Sequence, residues 1–160
     1  MTYSHTQRGA LQWILWPAAA ICFAGAVTAR GTESGWVSAV LIAAGLISIF
    51  ISFCFLTLTV SDGGSGLDVR FGPVGLFHKQ VPYASITAAE PARSSLLDGF
   101  GVHWVPGRGW TWNLWGFDCV ELTVDDRTLR IGTDDREGLA TFLQQRIADN
   151  ERSVQNEETT

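Results

Sequence analysis

Between Arg8 and Arg30 the chain runs for 21 residues without a formal charge, and between Glu33 and Asp62 for 28. Each run exceeds the roughly 20 residues that cross a hydrocarbon core as helix. The pattern predicts spans over about 11–29 and 36–55, with Trp13 and Trp16 at the entry of the first and Trp36 at the entry of the second. Indole rings at those places suit the headgroup level. Arg30 to Gly35 leaves room only for a reversal, so the two helices form an antiparallel hairpin and both chain ends share a side. Small residues four apart, Ala20/Ala24, Gly25/Ala29, Ala39/Ala43 and Ala44/Ser48, would let the helices approach closely.

Near Phe55 the period changes. Leu56, Leu58 and Val60 alternate with Thr57, Thr59 and Ser61, so the chain enters a sheet directly from the second helix. Ser61 to Gly66 reads as a turn and 67–71 as the returning strand. Further short strands are expected over 74–79 with 81–83, 86–91, 99–105 and 110–115, and a last hairpin over 119–124 and 128–131 turns at Asp125-Asp126. Asp134 with Glu137 three residues on forms a capping box, and Leu139, Phe142, Leu143 and Ile147 then share one helical face. The helix is expected to end near Asp149, leaving 150–160 as a solvated, disordered tail. Residues 1–10 read as an N-terminal segment, 11–55 as the hairpin and 56–149 as one small extramembrane domain. The expected fold class is α+β with a membrane part: a two-helix hairpin, then a small antiparallel barrel plugged by a C-terminal amphipathic helix.

Composition agrees with a lipid-embedded portion. Apolar residues are 46% of the 160 and charged residues 17%, below the roughly 25% of a typical soluble domain. The net charge of −5 argues against a nucleic-acid partner, which requires a basic face. Lys and Arg near the span ends count Arg30 on the turn side against Arg8, Arg70 and Lys79 on the other, which puts both termini in the cytoplasm. Arg8 and the Ala24-Gly25-Ala26 triplet also fit a secretory signal. The length of the apolar run and the second span directly after it favour a retained helix.

Trp112-Asn113-Leu114-Trp115-Gly116, then Cys119 to Leu122, then Arg130-Ile131-Gly132-Thr133-Asp134-Asp135 leading into Gly138-Leu139 resembles the end of the bacterial pleckstrin-homology-like (PH-like) domains carried by small membrane proteins. The resemblance covers about residues 56–148. It implies a PH-like barrel behind a helical hairpin in the bacterial cytoplasmic membrane, in a family without an assigned catalytic residue.

The conspicuous candidate for contact is Gly101 to Gly116, which holds four of the seven tryptophans: Trp104, Trp110, Trp112 and Trp115. One reading is a surface for a partner or for lipid, with Trp110, Arg108, Trp112 and Trp104 as binding residues and Trp110, beside Gly107-Arg108-Gly109, expected to be exposed. The other is that the rings build a small sheet core. A phosphoinositide headgroup is not expected, because the Ser61–Gly66 loop carries Asp62 and no base, and residues 61–160 hold 9 Lys and Arg against 15 Asp and Glu. Cys22, Cys54 and Cys119 are too far apart for a disulfide framework or metal knuckle and read as buried thiols. No spacing ties His78 and His103 to Cys119 as a metal site, and Asp125-Asp126 and Asp134-Asp135 suit a turn and a helix start. No phosphate-loop, nucleophile-elbow, zinc-protease or dinucleotide motif occurs. The chain is therefore expected to be a cofactor-free, non-enzymatic membrane protein, partnered by the bilayer and by another membrane or cytoplasmic protein. The alternative is a module whose segment 101–116 lies on the membrane surface.

Overall fold

The computed structural model describes residues 2–30, 35–95 and 100–158. The expected reversal at 31–34 and the first residue of the 99–105 strand lie outside them. The chain opens not with a loose segment but with β1 (Ser4–Arg8), followed by α1 (Gln12–Ala29), α2 (Gly35–Cys54), β2 (Thr57–Asp62) and β3 (Gly66–Phe71). Then come β4 (His78–Pro82), β5 (Ile86–Arg93), β6 (Gly101–Val105), β7 (Gly109–Asn113), β8 (Asp118–Val124), β9 (Arg127–Gly132) and α3 (Arg136–Glu158).

Among the described residues the strands do not close into a barrel. They form two sheets, β1-β2-β3-β4 and β5-β8-β9-β7-β6. Nor is the arrangement antiparallel throughout, since β7 runs parallel to β9, with Trp110, Thr111 and Trp112 beside Leu129, Arg130 and Ile131. The cause lies in the 114–117 connection. It carries the chain from β7 past one strand position, and β9 returns through the β8–β9 hairpin to fill the slot. That hairpin turns on Asp125 and Asp126, both with positive φ (48° and 61°), as a two-residue primed turn requires.

The first sheet is where the hairpin is rooted. β1 pairs antiparallel with β2, from Ser4 opposite Ser61 to Arg8 opposite Thr57, and the Gly9 amide donates to the Leu56 carbonyl at 2.9 Å. The two helices thus leave and return between adjacent strands. A side chain at Gly9 would stand 2.5 Å from the Phe55 carbonyl oxygen, so strand pairing holds the two chain segments tightly together below the helices. β1 was illegible in the sequence because Ser-His-Thr-Gln-Arg presents no apolar face; its buried position is Gln7.

Within the hairpin the buried positions repeat at seven residues, Ala19 and Ala26 on α1 and Ser38, Gly45 and Ser52 on α2, whereas Ala20, Ala24, Ala39 and Ala43 of the expected four-residue pairs are exposed. The Ser38 hydroxyl donates to the Ala26 carbonyl at 2.8 Å, and the Phe23 ring fills the space over Gly45, where a Cβ would come within 2.8 Å of it. Gly45→Leu is expected to splay the helices at a cost of about 1–3 kcal/mol. Gly25→Leu, which meets only the tip of Leu41 at 3.3 Å, should cost less. Helix melting by circular dichroism of the full chain in detergent would rank the two.

The core lies between the inner faces of the sheets, with Phe71, Leu58, Leu122 and Ile131 fully enclosed, and α3 closes it with Leu139, Phe142 and Leu143. The helix cap is Asp135, not Asp134: its carboxylate accepts from the Gly138 amide at 3.1 Å, while Asp134 turns outward to pair with the His5 imidazole. α3 also continues to Glu158, beyond the end of its apolar face, so the segment after Asp149 is helical over its described residues.

The helix is fastened at its middle. Asp62, whose side chain is 5% exposed, accepts from the Tyr83 hydroxyl at 2.9 Å and the Gly64 amide at 2.9 Å and pairs with the Arg146 guanidinium. Arg146 also covers the Tyr83 and Phe142 rings, its guanidinium carbon 5.4 Å from each centroid. Burial pushes the Asp62 carboxyl up, but the Gly64 amide, the Tyr83 hydroxyl and Arg146 outweigh it and hold the group below its ordinary range. Tyr83 in turn is raised, by burial first and then by the Asp62 carboxylate beside it. The turn that read as a baseless loop is thus the seat of the C-terminal helix.

Candidate functional site: a cleft at the mouth of the sandwich

The tryptophan-rich segment divides between three environments. Trp110 and Trp112 alternate with Thr111 and so project from one face of β7. Trp112 is buried against Phe71, ring centroids 5.9 Å apart, and belongs to the core. Trp110, two residues nearer the β6–β7 turn, passes the edge of that core and is 47% exposed. Its cross-strand partner is Trp104, 58% exposed, and directly opposed residues of an antiparallel pair share a face. Arg108 is exposed on the turn between them. Trp115 stands at the other end of the segment, stacked on Phe100 at 5.1 Å.

Beside Trp110 lies a cleft of about 410 Å³, lined by Lys79 from the first sheet and Val124, Asp125, Arg127, Thr128 and Leu129 from the second. It is the mouth of the sandwich, where the apolar interior grades into Trp110 and then into charge. Parallel pairing builds it by setting Trp110 beside Leu129. The turn that carries Arg108 is pressed onto β9. Gly109 has φ +80°, and a Cβ there would lie 2.1 Å from the Thr128 carbonyl oxygen.

Of the four residues singled out from sequence, Trp110 lines this cleft, Trp104 stands opposite it on β6, Arg108 lies on the turn between them, and Trp112 is set apart in the core. Arg127 was missed because the β7–β9 neighbourship that sets its strand beside Trp110 leaves no periodic trace, while Lys79 reaches the cleft from β4 in the other sheet. Cys54 and Cys119 are buried, Cys22 is half-buried, and none is in a disulfide. Among the described residues, no three His, Cys, Asp or Glu side chains are grouped to hold a metal ion. His78 pairs with Asp68, and the Arg130–Glu121 ion pair joins β9 to β8. The Tyr3 hydroxyl, bonded to Asp135, is raised by burial and by that carboxylate.

No protein-family model matches the chain, and no curated protein matches it.

Proposed function

We propose that the chain is a two-span membrane protein whose extramembrane domain is a non-catalytic docking module, engaging a protein partner through the Trp104–Trp110 mouth. Two helices, Gln12–Ala29 and Gly35–Cys54, are long and apolar enough to cross a membrane, and only 11% and 22% of their most apolar windows are buried within the molecule. A core helix of a soluble protein would be mostly covered; here Ile14, Ile21, Val40, Leu46 and Ile47 face outward. The β1–β2 pairing supports a retained first helix, since cleavage after Ala26 would remove β1 from its sheet. The Lys and Arg distribution supports a cytoplasmic domain. The likeness to PH-like modules rests on the sequence resemblance and on the C-terminal helix that closes the core; the two open sheets and the parallel pair depart from it.

The observation that carries the docking role is the pair of half-exposed indoles beside a charged cleft. Aromatic side chains with a neighbouring Arg are the usual anchors of protein recognition. The cleft's ionisable groups, Lys79, Asp125 and Arg127, suit a segment that inserts an apolar side chain and carries acidic neighbours.

The test is purification of the full-length protein at native abundance in mild detergent, with mass spectrometry of what accompanies it, in parallel with a Trp110→Ala/Arg108→Ala variant. The expected result is a near-stoichiometric protein retained by the wild type and lost from the variant. Recovery of lipid alone would contradict the docking role.

A further inference from the structure

Among the described residues, five large apolar side chains outside the hairpin are exposed and do not belong to the docking mouth: Val74 (49%), Leu76 (60%), Phe100 (45%), Trp115 (44%) and Phe117 (37%). They come from three separate segments, yet each segment touches the few residues that join the helices to the first sheet. The 72–77 turn is held by the Gly72 amide, which donates to the Thr57 carbonyl at 2.7 Å, and Phe77 packs on Phe55 at 5.4 Å. Leu114 lies against Gly9, and the Gln7 side-chain amide donates to the Trp115 carbonyl at 2.8 Å. A Cβ added at Gly101, next to Phe100, would lie 3.8 Å from the Phe55 ring.

We propose that these side chains form an apolar collar around the root of the hairpin that seats the domain in the interfacial layer of the bilayer. The inference rests on reading α1 and α2 as membrane spans. The occupant follows from continuity, because the 72–77 turn abuts the end of α2 at the Phe53 and Cys54 carbonyls, and Phe53, like Trp13 and Trp16 in the first turns of α1, is exposed. There is also no tether. Three residues separate β1 from α1 and two separate α2 from β2, so a membrane that holds the helices to their ends brings these loops to its surface. Arg8, exposed at the end of β1, stands where lipid phosphates would be. Exposed apolar and aromatic side chains at that depth gain by leaving water, whereas the opposite end of the first sheet, Gly63 to Ser65, is exposed and lacks apolar side chains. Of the tryptophan-rich segment, this assigns Trp115 to lipid and leaves Trp104 and Trp110 to the docking mouth.

The experiment uses the full chain, with Cys22→Ala, Cys54→Ala and Cys119→Ala, reconstituted in vesicles of phosphatidylcholine and phosphatidylglycerol. Single spin labels are placed at Leu76→Cys, Phe117→Cys, Ser65→Cys and Ile47→Cys, with Val74→Cys to replace any collar variant that fails to fold. Collisions with oxygen report lipid, and collisions with a water-soluble nickel chelate report water. Labels at 76 and 117 are expected to show several-fold less nickel access than the label at 65, and more oxygen access, approaching the label at 47. If 47 reads as lipid while 76 and 117 match 65, the collar is overturned and the spans stand. If 47 reads as water, both readings fall. Protection of 76 and 117 from both probes that disappears on diluting the protein in lipid would mean that a second copy covers the collar, and would overturn the lipid assignment.

Discussion

Replacing Arg146 with Met is expected to destabilise the two-sheet domain by about 3 kcal/mol, because it strands the Asp62 carboxylate in a site where its side chain is 5% exposed. Tyr83 and Gly64 would still donate to it, but no cation would remain to offset its desolvation. For a domain of about a hundred residues that corresponds to a melting temperature lower by roughly 10–20 °C. The pH dependence follows from the sign of the Asp62 shift. A carboxyl held below its ordinary range by the fold contributes stability at pH values above the unfolded pKa of about 3.9, and that contribution is lost as pH falls through the lower folded value. Wild-type stability should therefore decline below about pH 4, and Asp62→Asn should flatten that acid limb. Near-ultraviolet circular dichroism melts of the full chain in detergent, repeated across pH, read both effects. A melting temperature of Arg146→Met within a degree or two of wild type would contradict the account of how α3 is held.

The second large effect is expected at Gly72, where the β3–β4 turn meets the end of α2. The residue has φ +58°, and a Cβ would stand 2.2 Å from the Phe53 carbonyl oxygen and 2.6 Å from that of Cys54. Both obstructions are backbone, so neither can rotate away. The left-handed conformation costs a non-glycine residue about 1–2 kcal/mol, and the displacement adds about 1–3 kcal/mol. Gly72→Ala is thus expected to cost about 2–5 kcal/mol in all and to detach the turn from Thr57, exposing residues 72–77 to protease. Gly107→Ala separates the two contributions, because Gly107 has φ +73° and nothing within 4 Å. It should lose only the conformational part, about 1–2 kcal/mol. Equal losses at the two positions would mean that the turn does not bear on the helix end.

Much of the fold was legible where one period dominates over several residues. The two apolar helices, the change to alternation at Leu56, the Asp125-Asp126 hairpin and the amphipathic start of α3 each announce themselves within ten or so residues. What was hidden depends on partners distant in sequence. β1 is polar and earns its place by pairing with β2, some fifty positions on. The parallel β7–β9 contact within the second sheet depends on one short connection that passes a strand position. The same limit applied to the candidate site. Four tryptophans in sixteen residues drew attention to the segment, but only the point where β7 runs past the edge of the core separates buried Trp112 from Trp110 at the mouth. The collar residues Val74, Leu76 and Phe117 had read as strand or loop filler, since their common position at the hairpin root comes from three-dimensional contacts alone.

The central claim is that the hairpin crosses the membrane twice and returns to the same sheet, leaving both ends of the chain on one side. It is tested most directly by labelling Ser4→Cys and Gln155→Cys variants of the full chain with a membrane-impermeant maleimide in sealed, right-side-out cells, before and after permeabilisation. The account predicts that both positions are protected in sealed cells and both react once the membrane is opened. Reaction of one position and not the other in sealed cells would contradict it.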